Sequence, residues 1–117
     1  FKRIEARAAQ IAALSGTKIT IQPTSTHEPA LAAAWVRDII AREAAAMGLK
    51  TLSLPSGAGH DAQMLARIAP MGMIFVPSVG GISHSPKELT RWEDTANGCE
   101  VLYRTVLAID SLRTQPR

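Results

Sequence analysis

The sequence predicts an α/β fold, and three observations carry that expectation. Segments with apolar residues at helical spacing alternate with short runs that are either alternating or wholly apolar. One of these runs, Met73-Ile74-Phe75-Val76, is uninterrupted between Gly72 and Pro77, the pattern of a strand covered on both faces by helices. Two of the runs lead into glycine-rich loops that each carry a histidine, which is where α/β enzymes usually place their chemistry.

Residues 2–15 place Ile4, Ala8, Ile11 and Ala12 at helical spacing with charges opposite, and Gly16 follows as a C-terminal cap. Residues 17–22 then alternate, Ile19 and Ile21 against Lys18, Thr20 and Gln22, until Pro23 removes a ladder donor, so a half-buried strand ends there. Residues 23–28 show neither period, and a domain boundary is expected near Thr26. Pro29 suits the first turn of a helix over 29–47 that buries Ala32, Val36, Ile39, Ile40 and Met47. Gly48, with Leu49 behind it, fits a left-handed cap.

Residues 50–54 read as a short strand through Leu52 and Leu54, and 61–68 as a short helix carrying Ala62, Leu65 and Ile68. Beyond the 73–76 run, Ser85-Pro86-Lys87-Glu88 and Thr90-Arg91-Trp92-Glu93 each have capping-box spacing. The helix that starts in this region is expected to reach Leu112 and to bury Trp92, Ala96, Cys99, Leu102, Tyr103, Val106 and Ile109. Gly98 costs that helix about 1 kcal/mol.

At 117 residues the chain matches one small domain or pieces of two, and 46% apolar content is enough to bury a core. The 13 basic and 10 acidic residues are scattered, with local excess only at Lys2-Arg3 and over 113–117, so no nucleic-acid footprint is visible. Cys99 is the single cysteine, which leaves no intramolecular disulfide. The longest apolar stretch, 30–36, falls far short of the roughly 20 residues that span a bilayer. A cytoplasmic protein with neither nucleic-acid nor membrane partners is expected. The chain does not open with methionine or with a signal-like segment, and it is expected to be a piece of a longer protein.

His84 sits among Gly80, Gly81, Ser83 and Ser85, residues too small to bury an imidazole, so its ring is free to reach a metal or substrate; a merely solvated histidine is the plain alternative. His60-Asp61 is either a carboxylate-oriented histidine or a helix start with Asp61 as cap, and the cap is favoured. Gly57 and Gly59 would let a backbone N–H approach an anion, but their spacing matches neither a Walker loop nor a dinucleotide fingerprint. Glu88 is either a partner of His84 or a capping residue, and the capping role suffices. His27 in its polar linker and Cys99 on a helix lack metal-ligand spacing to any other Cys or His.

Three motifs in order carry a resemblance: Leu54-Pro55-Ser56-Gly57-Ala58-Gly59-His60-Asp61-Ala62, then Met73-Ile74-Phe75-Val76-Pro77-Ser78, then Gly81-Ile82-Ser83-His84-Ser85-Pro86-Lys87-Glu88. The chain resembles the C-terminal part of the hydantoinase/carbamoylase family, zinc-dependent amidases that include N-carbamoyl-L-amino-acid hydrolases, β-ureidopropionases and allantoate amidohydrolases. The resemblance implies a catalytic α/β domain interrupted by a ferredoxin-like lid that also mediates dimerisation. Residues 1–26 would then be the last helix and strand of the lid, and 27–117 the return into the catalytic domain.

The resemblance further implies that His84 is a metal ligand and that Gly59 and His60 approach the substrate, with both loops facing one site. The metal it implies is zinc in a two-metal centre, a place that manganese or cobalt could also take. The family's earlier histidine in an HxD motif, bridging aspartate, Glu-Glu pair and further histidine are not in this sequence, nor is the lid arginine that would clamp a substrate carboxylate. One imidazole does not hold a catalytic zinc, so the chain alone is expected to be inactive. The implied reaction is hydrolysis of the carbamoyl or ureido C–N bond of N-carbamoyl amino acids or allantoate, by an enzyme that is a homodimer or self-associates. Two rivals remain: a truncated, non-catalytic fragment that binds itself or a partner, and a peptidase or aminoacylase of the same superfamily.

Overall fold

The structure, a computed structural model, describes residues 1–113, so most of the basic tail over 113–117 lies outside the described residues. Among these residues four α-helices follow one another: α1 Lys2–Ser15, α2 Ala34–Ala46, α3 Asp61–Leu65 and α4 Trp92–Arg113. The arrangement is open, with a radius of gyration of 20.5 Å against about 13 Å for a compact domain of this length. Its accessible surface of 10030 Å² exceeds the roughly 6,200 Å² of a folded monomer of this size. Much of the apolar surface is therefore uncovered within the chain.

Among the described residues, the helix pair that packs is α2 against α4. Val36, Ile39 and Ala44 of α2 are buried, as are Val101 and Thr105 of α4. On α2 the expected face is correct in phase, although Ile40 is only half-buried, as are Ala32 and Met47 beyond its two ends. On α4 it is not: Trp92, Cys99, Leu102, Tyr103 and Val106 are exposed. The docking side of α4 runs instead through Gly98, Val101 and Thr105, because a side chain at Gly98 would collide with Val76 and its absence lets the helix come close. Apolarity alone points to the large residues, whereas close approach selects the small ones.

The helix expected over 29–47 begins only at Ala34. Ala33 is extended, has no capping side chain, and gives its N–H to Met71 O at 2.8 Å, so residues 29–33 are held toward the 71–76 stretch instead of coiling from Pro29. The far end is as expected. Gly48 has φ 73°, and Gly48 N–H to Ala45 O (2.9 Å) with Leu49 N–H to Ala44 O (3.0 Å) forms the paired bonds of a left-handed C-cap. Helix α1 likewise ends at Gly16 with φ 66°, but none of its residues is buried. Helix α3 stops at Leu65, short of Ile68, and Leu65 and Ile68 are exposed.

Strands expected over 17–22, 50–54 and 73–76 do not form among the described residues, which contain helices and no strand. A strand needs a neighbour to accept and donate its backbone hydrogen bonds, and these stretches find no ladder partner in one another. The 71–76 stretch keeps a period of two all the same. Gly72 lies against Val36 and Ile40 of α2 and Val76 against Gly98 of α4, while Met71, Met73 and Phe75 face an open groove. It is covered by helices on one face, not on both.

Candidate functional site

The first histidine loop begins where residues 50–54 run into Pro55 and ends at the start of α3. Ser56 Oγ accepts the Ala58 N–H (3.3 Å) and lies 2.7 Å from His60 Nε2, so one hydroxyl both closes the turn and fixes the ring. Phe75 meets the imidazole edge-on, with centroids 5.9 Å apart and planes at 63°, a favourable aromatic geometry. His60 is itself the N-cap residue of α3, extended at φ −136° and ψ 146°, with Asp61 as the first helical residue. The expected cap at Asp61 is thus displaced by one position, because a cap residue needs extended torsions. The ring partner of His60 is Ser56, not the neighbouring carboxylate.

This loop forms one wall of a groove of about 790 Å³. His60, Ser56, Phe75, Met73, Leu54 and Arg37 are among its lining residues, and Arg37 Nη1 reaches Ser53 Oγ at 3.4 Å. The groove runs along the extended stretches over 51–56 and 71–75. Gly57 and Gly59 do not have left-handed torsions, and a Cβ at either would meet no atom within 4 Å. Packing in this chain therefore does not require glycine there, and what remains is unobstructed backbone beside His60.

The second loop is built differently. It starts at Val79 with a tight turn through Gly80 (φ 66°) and Gly81 (φ 68°), closed by Ile82 N–H to Val79 O. Ser78 Oγ donates to Ile82 O, and Val79 N–H bonds Leu89 O at 2.8 Å, pinning the loop's two ends together. His84 then adopts φ 56°, the one described non-glycine residue in the left-handed region. For a residue with a Cβ that conformation costs about 1–2 kcal/mol. Its backbone N–H is taken by Glu88 Oε2 at 2.7 Å, a charge-assisted bond of comparable size.

The His84 ring pairs through Nδ1 with Ser83 Oγ at 2.8 Å, which leaves Nε2 without a hydrogen-bond partner. If Nδ1 carries the proton toward Ser83, the Nε2 lone pair is free for a metal or an acid. Among the described residues, however, no three His, Cys, Asp or Glu side chains are placed to hold a metal ion.

The structure gathers Ser56, His60 and Phe75 in one groove, and His84 and Gly59 are not among the residues that line it. His27 lies in a smaller hollow of about 200 Å³ with Glu28, Gln63 and Arg67, where Gln63 Nε2 donates to Glu28 O. Cys99 is exposed, not on the buried face of its helix. Sequence reading passed over Ser56, Phe75 and Ser83. Two of the three left a trace, since Ser56 lies one helical turn before His60 and Ser83 directly before His84.

Residues 4–108 match the peptidase family M20/M25/M40. The chain is 42% identical over 106 residues to an N-carbamoyl-L-amino acid amidohydrolase of Geobacillus stearothermophilus, covering 91% of this chain and 26% of that protein. To an allantoate amidohydrolase of Bacillus subtilis it is 60% identical over 43 residues, 37% of this chain and 10% of the relative. A crystal structure described as an amidohydrolase/peptidase of Burkholderia cenocepacia superposes with a TM-score of 0.72 at 38% identity, covering 92% of this chain and 26% of that one. The chain thus spans about a quarter of the length of the first curated relatives it matches. Its open shape coincides with part of that solved structure, and the agreement supports an α/β hydrolase-type region.

Proposed function

The chain belongs to the peptidase family M20/M25/M40, and on that footing we propose that it is a segment of a metal-dependent amidohydrolase. The bond it helps to cleave is the carbamoyl or ureido C–N bond of N-carbamoyl amino acids or allantoate. One observation carries the reading: the 42% identity to a protein named for N-carbamoyl-L-amino acids. An aligned stretch that covers 91% of the chain necessarily includes both histidine loops.

His84 supplies one metal ligand through Nε2, and Ser83 at Nδ1 orients the ring, as partners of ligating histidines do. The remaining ligands belong to other parts of the enzyme, because a catalytic metal takes three or more protein ligands. The metal, zinc in a two-metal centre with manganese or cobalt as substitutes, would polarise the scissile carbonyl and lower the pKa of bound water toward about 7. Gly59 and His60 serve the substrate: the backbone at Gly59 is unobstructed, and His60 is held by Ser56 and Phe75 in a groove of small-molecule size. Residues 1–26 belong to a lid and 27–117 to the catalytic domain of a cytoplasmic homodimer. The exposed apolar surface of α1 is consistent with that division, and no helix among the described residues is long and apolar enough to cross a membrane.

A peptidase of the same superfamily is the second reading, favoured by the description of the Burkholderia structure. Hydrolysis by the complete gene product of N-carbamoyl amino acids and allantoate, followed as ammonia release, run beside hydrolysis of dipeptides and N-acyl amino acids, followed as free amino acid, decides between them. Turnover of the ureido compounds alone is the expected result, and turnover of dipeptides alone overturns it. The isolated 117-residue chain is expected to release no ammonia and to self-associate in sedimentation equilibrium. An active monomeric chain would defeat the reading of it as a segment.

A further inference from the structure

We propose that Glu88 is a positioning residue for His84, accepting the His84 backbone N–H and thereby holding that residue in its left-handed conformation. The inference rests on the reading of His84 as a working imidazole, and it goes beyond it by assigning the group that sets its backbone.

The capping-box spacing of Ser85 and Glu88 has no helix to serve, since α4 begins at Trp92. In a capping box the glutamate reaches back three residues to the N–H of the cap residue. Here it reaches back four, past Ser85, to His84 at 2.7 Å. Ser85 Oγ accepts the Lys87 N–H at 3.3 Å, and Glu88 N–H returns to Ser85 O at 2.9 Å, so residues 85–88 form a closed turn that aims the carboxylate at His84. The loop needs three left-handed residues, and glycine occupies two of them at no steric cost. Histidine occupies the third and requires an offsetting interaction. The carboxylate touches the backbone and not the ring, whose Nδ1 is engaged by Ser83. Two separate bonds therefore fix His84, one for its φ and one for its ring.

The test compares Glu88→Ala with Glu88→Gln in the complete gene product. Gln keeps an acceptor oxygen at the same reach without the charge. Two quantities are read: hydrogen exchange of the amides over residues 82–88 by mass spectrometry, and kcat and KM from ammonia release with an N-carbamoyl amino acid. Glu88→Ala is expected to speed exchange at His84 and to lower kcat roughly 10- to 100-fold, the usual cost of losing support behind a working histidine. KM should stay within about twofold and the melting temperature should fall by no more than a few degrees, while Glu88→Gln recovers most of kcat and of the protection.

The proposal is overturned by unchanged exchange in Glu88→Ala, by faster exchange with normal kcat, or by a Gln variant as impaired as the Ala variant. A wild-type protein that releases no ammonia from any ureido compound defeats the proposed function instead. The exchange comparison still decides whether Glu88 holds His84, because it needs no substrate.

Discussion

The loop over 55–61 immobilises an imidazole, whereas the loop over 78–89 immobilises a backbone. His60 is clamped at the ring by Ser56 and Phe75, in a helix-capping position with ordinary extended torsions. His84 is clamped at its amide by Glu88 in a strained conformation, with one ring nitrogen engaged and the other free. The difference fits the two roles proposed for these histidines. A group that contacts a substrate needs a set ring plane and a neighbouring apolar wall, while a metal ligand needs an unshared nitrogen delivered from a rigid main chain. Similar sequence settings, an apolar run followed by glycines and a histidine, therefore produce sites with opposite mechanical designs.

The largest effect that would break this contrast comes from exchanging the roles. In the complete gene product, His84→Ala is expected to abolish turnover and reduce metal content, with little change in melting temperature, because the ring is exposed and its loss opens no core cavity. His60→Ala should keep its metal and lose only about 10- to 100-fold in kcat/KM, the loss that follows from about 1.5–3 kcal/mol of polar contact. Metal analysis, kinetics and thermal melting of the two variants are the measurements. If His60→Ala is the variant that sheds metal, the assignment of the two loops is reversed.

A smaller effect separates the supports of the loops. Gly98→Ala places a methyl group against Val76, which leads directly into the 78–89 loop. Overpacking of about 1–3 kcal/mol outweighs the gain of about 1 kcal/mol from better helix propensity. A net loss near 1 kcal/mol should lower the melting temperature by several degrees, and hydrogen exchange should rise over 78–89 while 55–61 stays unchanged. Equal loosening of both loops would show that they share one support.

Much of this organisation was legible in the residues. Gly16 and Gly48 announce left-handed caps, and both helices end there. The 73–76 run announces an extended segment, which it is, although helices cover it on one face and not on both. What was not legible depends on partners distant in sequence. Ala33 gives its N–H to Met71 O, and that bond, not Pro29, decides where α2 begins. Gly98 reads as a weakness of α4 in isolation and becomes the point of closest approach only when Val76 is beside it. Glu88 reads as a cap by spacing alone; the left-handed turn at His84, which no pattern of apolar residues encodes, is what redirects it.

The smallest effect tests whether the clamp on His60 is a clamp at all. Ser56 Oγ has two jobs, accepting the Ala58 N–H and holding His60 Nε2, and Ser56→Ala removes both without altering the torsions of the loop. The loop is exposed, so water replaces each lost bond and the net cost of each is at the lower end of about 0.5–1.5 kcal/mol. Stability should barely move, because no buried polar atom is orphaned. The freed ring keeps its edge contact with Phe75 but can rotate about its own axis, so the loss should appear as a rise in KM of roughly two- to tenfold, with kcat and metal content preserved. Ser56→Thr, which keeps the hydroxyl, should restore KM. A Ser56→Ala variant that loses metal, or that lowers kcat as Glu88→Ala is expected to, would mean that the first loop also serves the metal and that the two designs are not distinct.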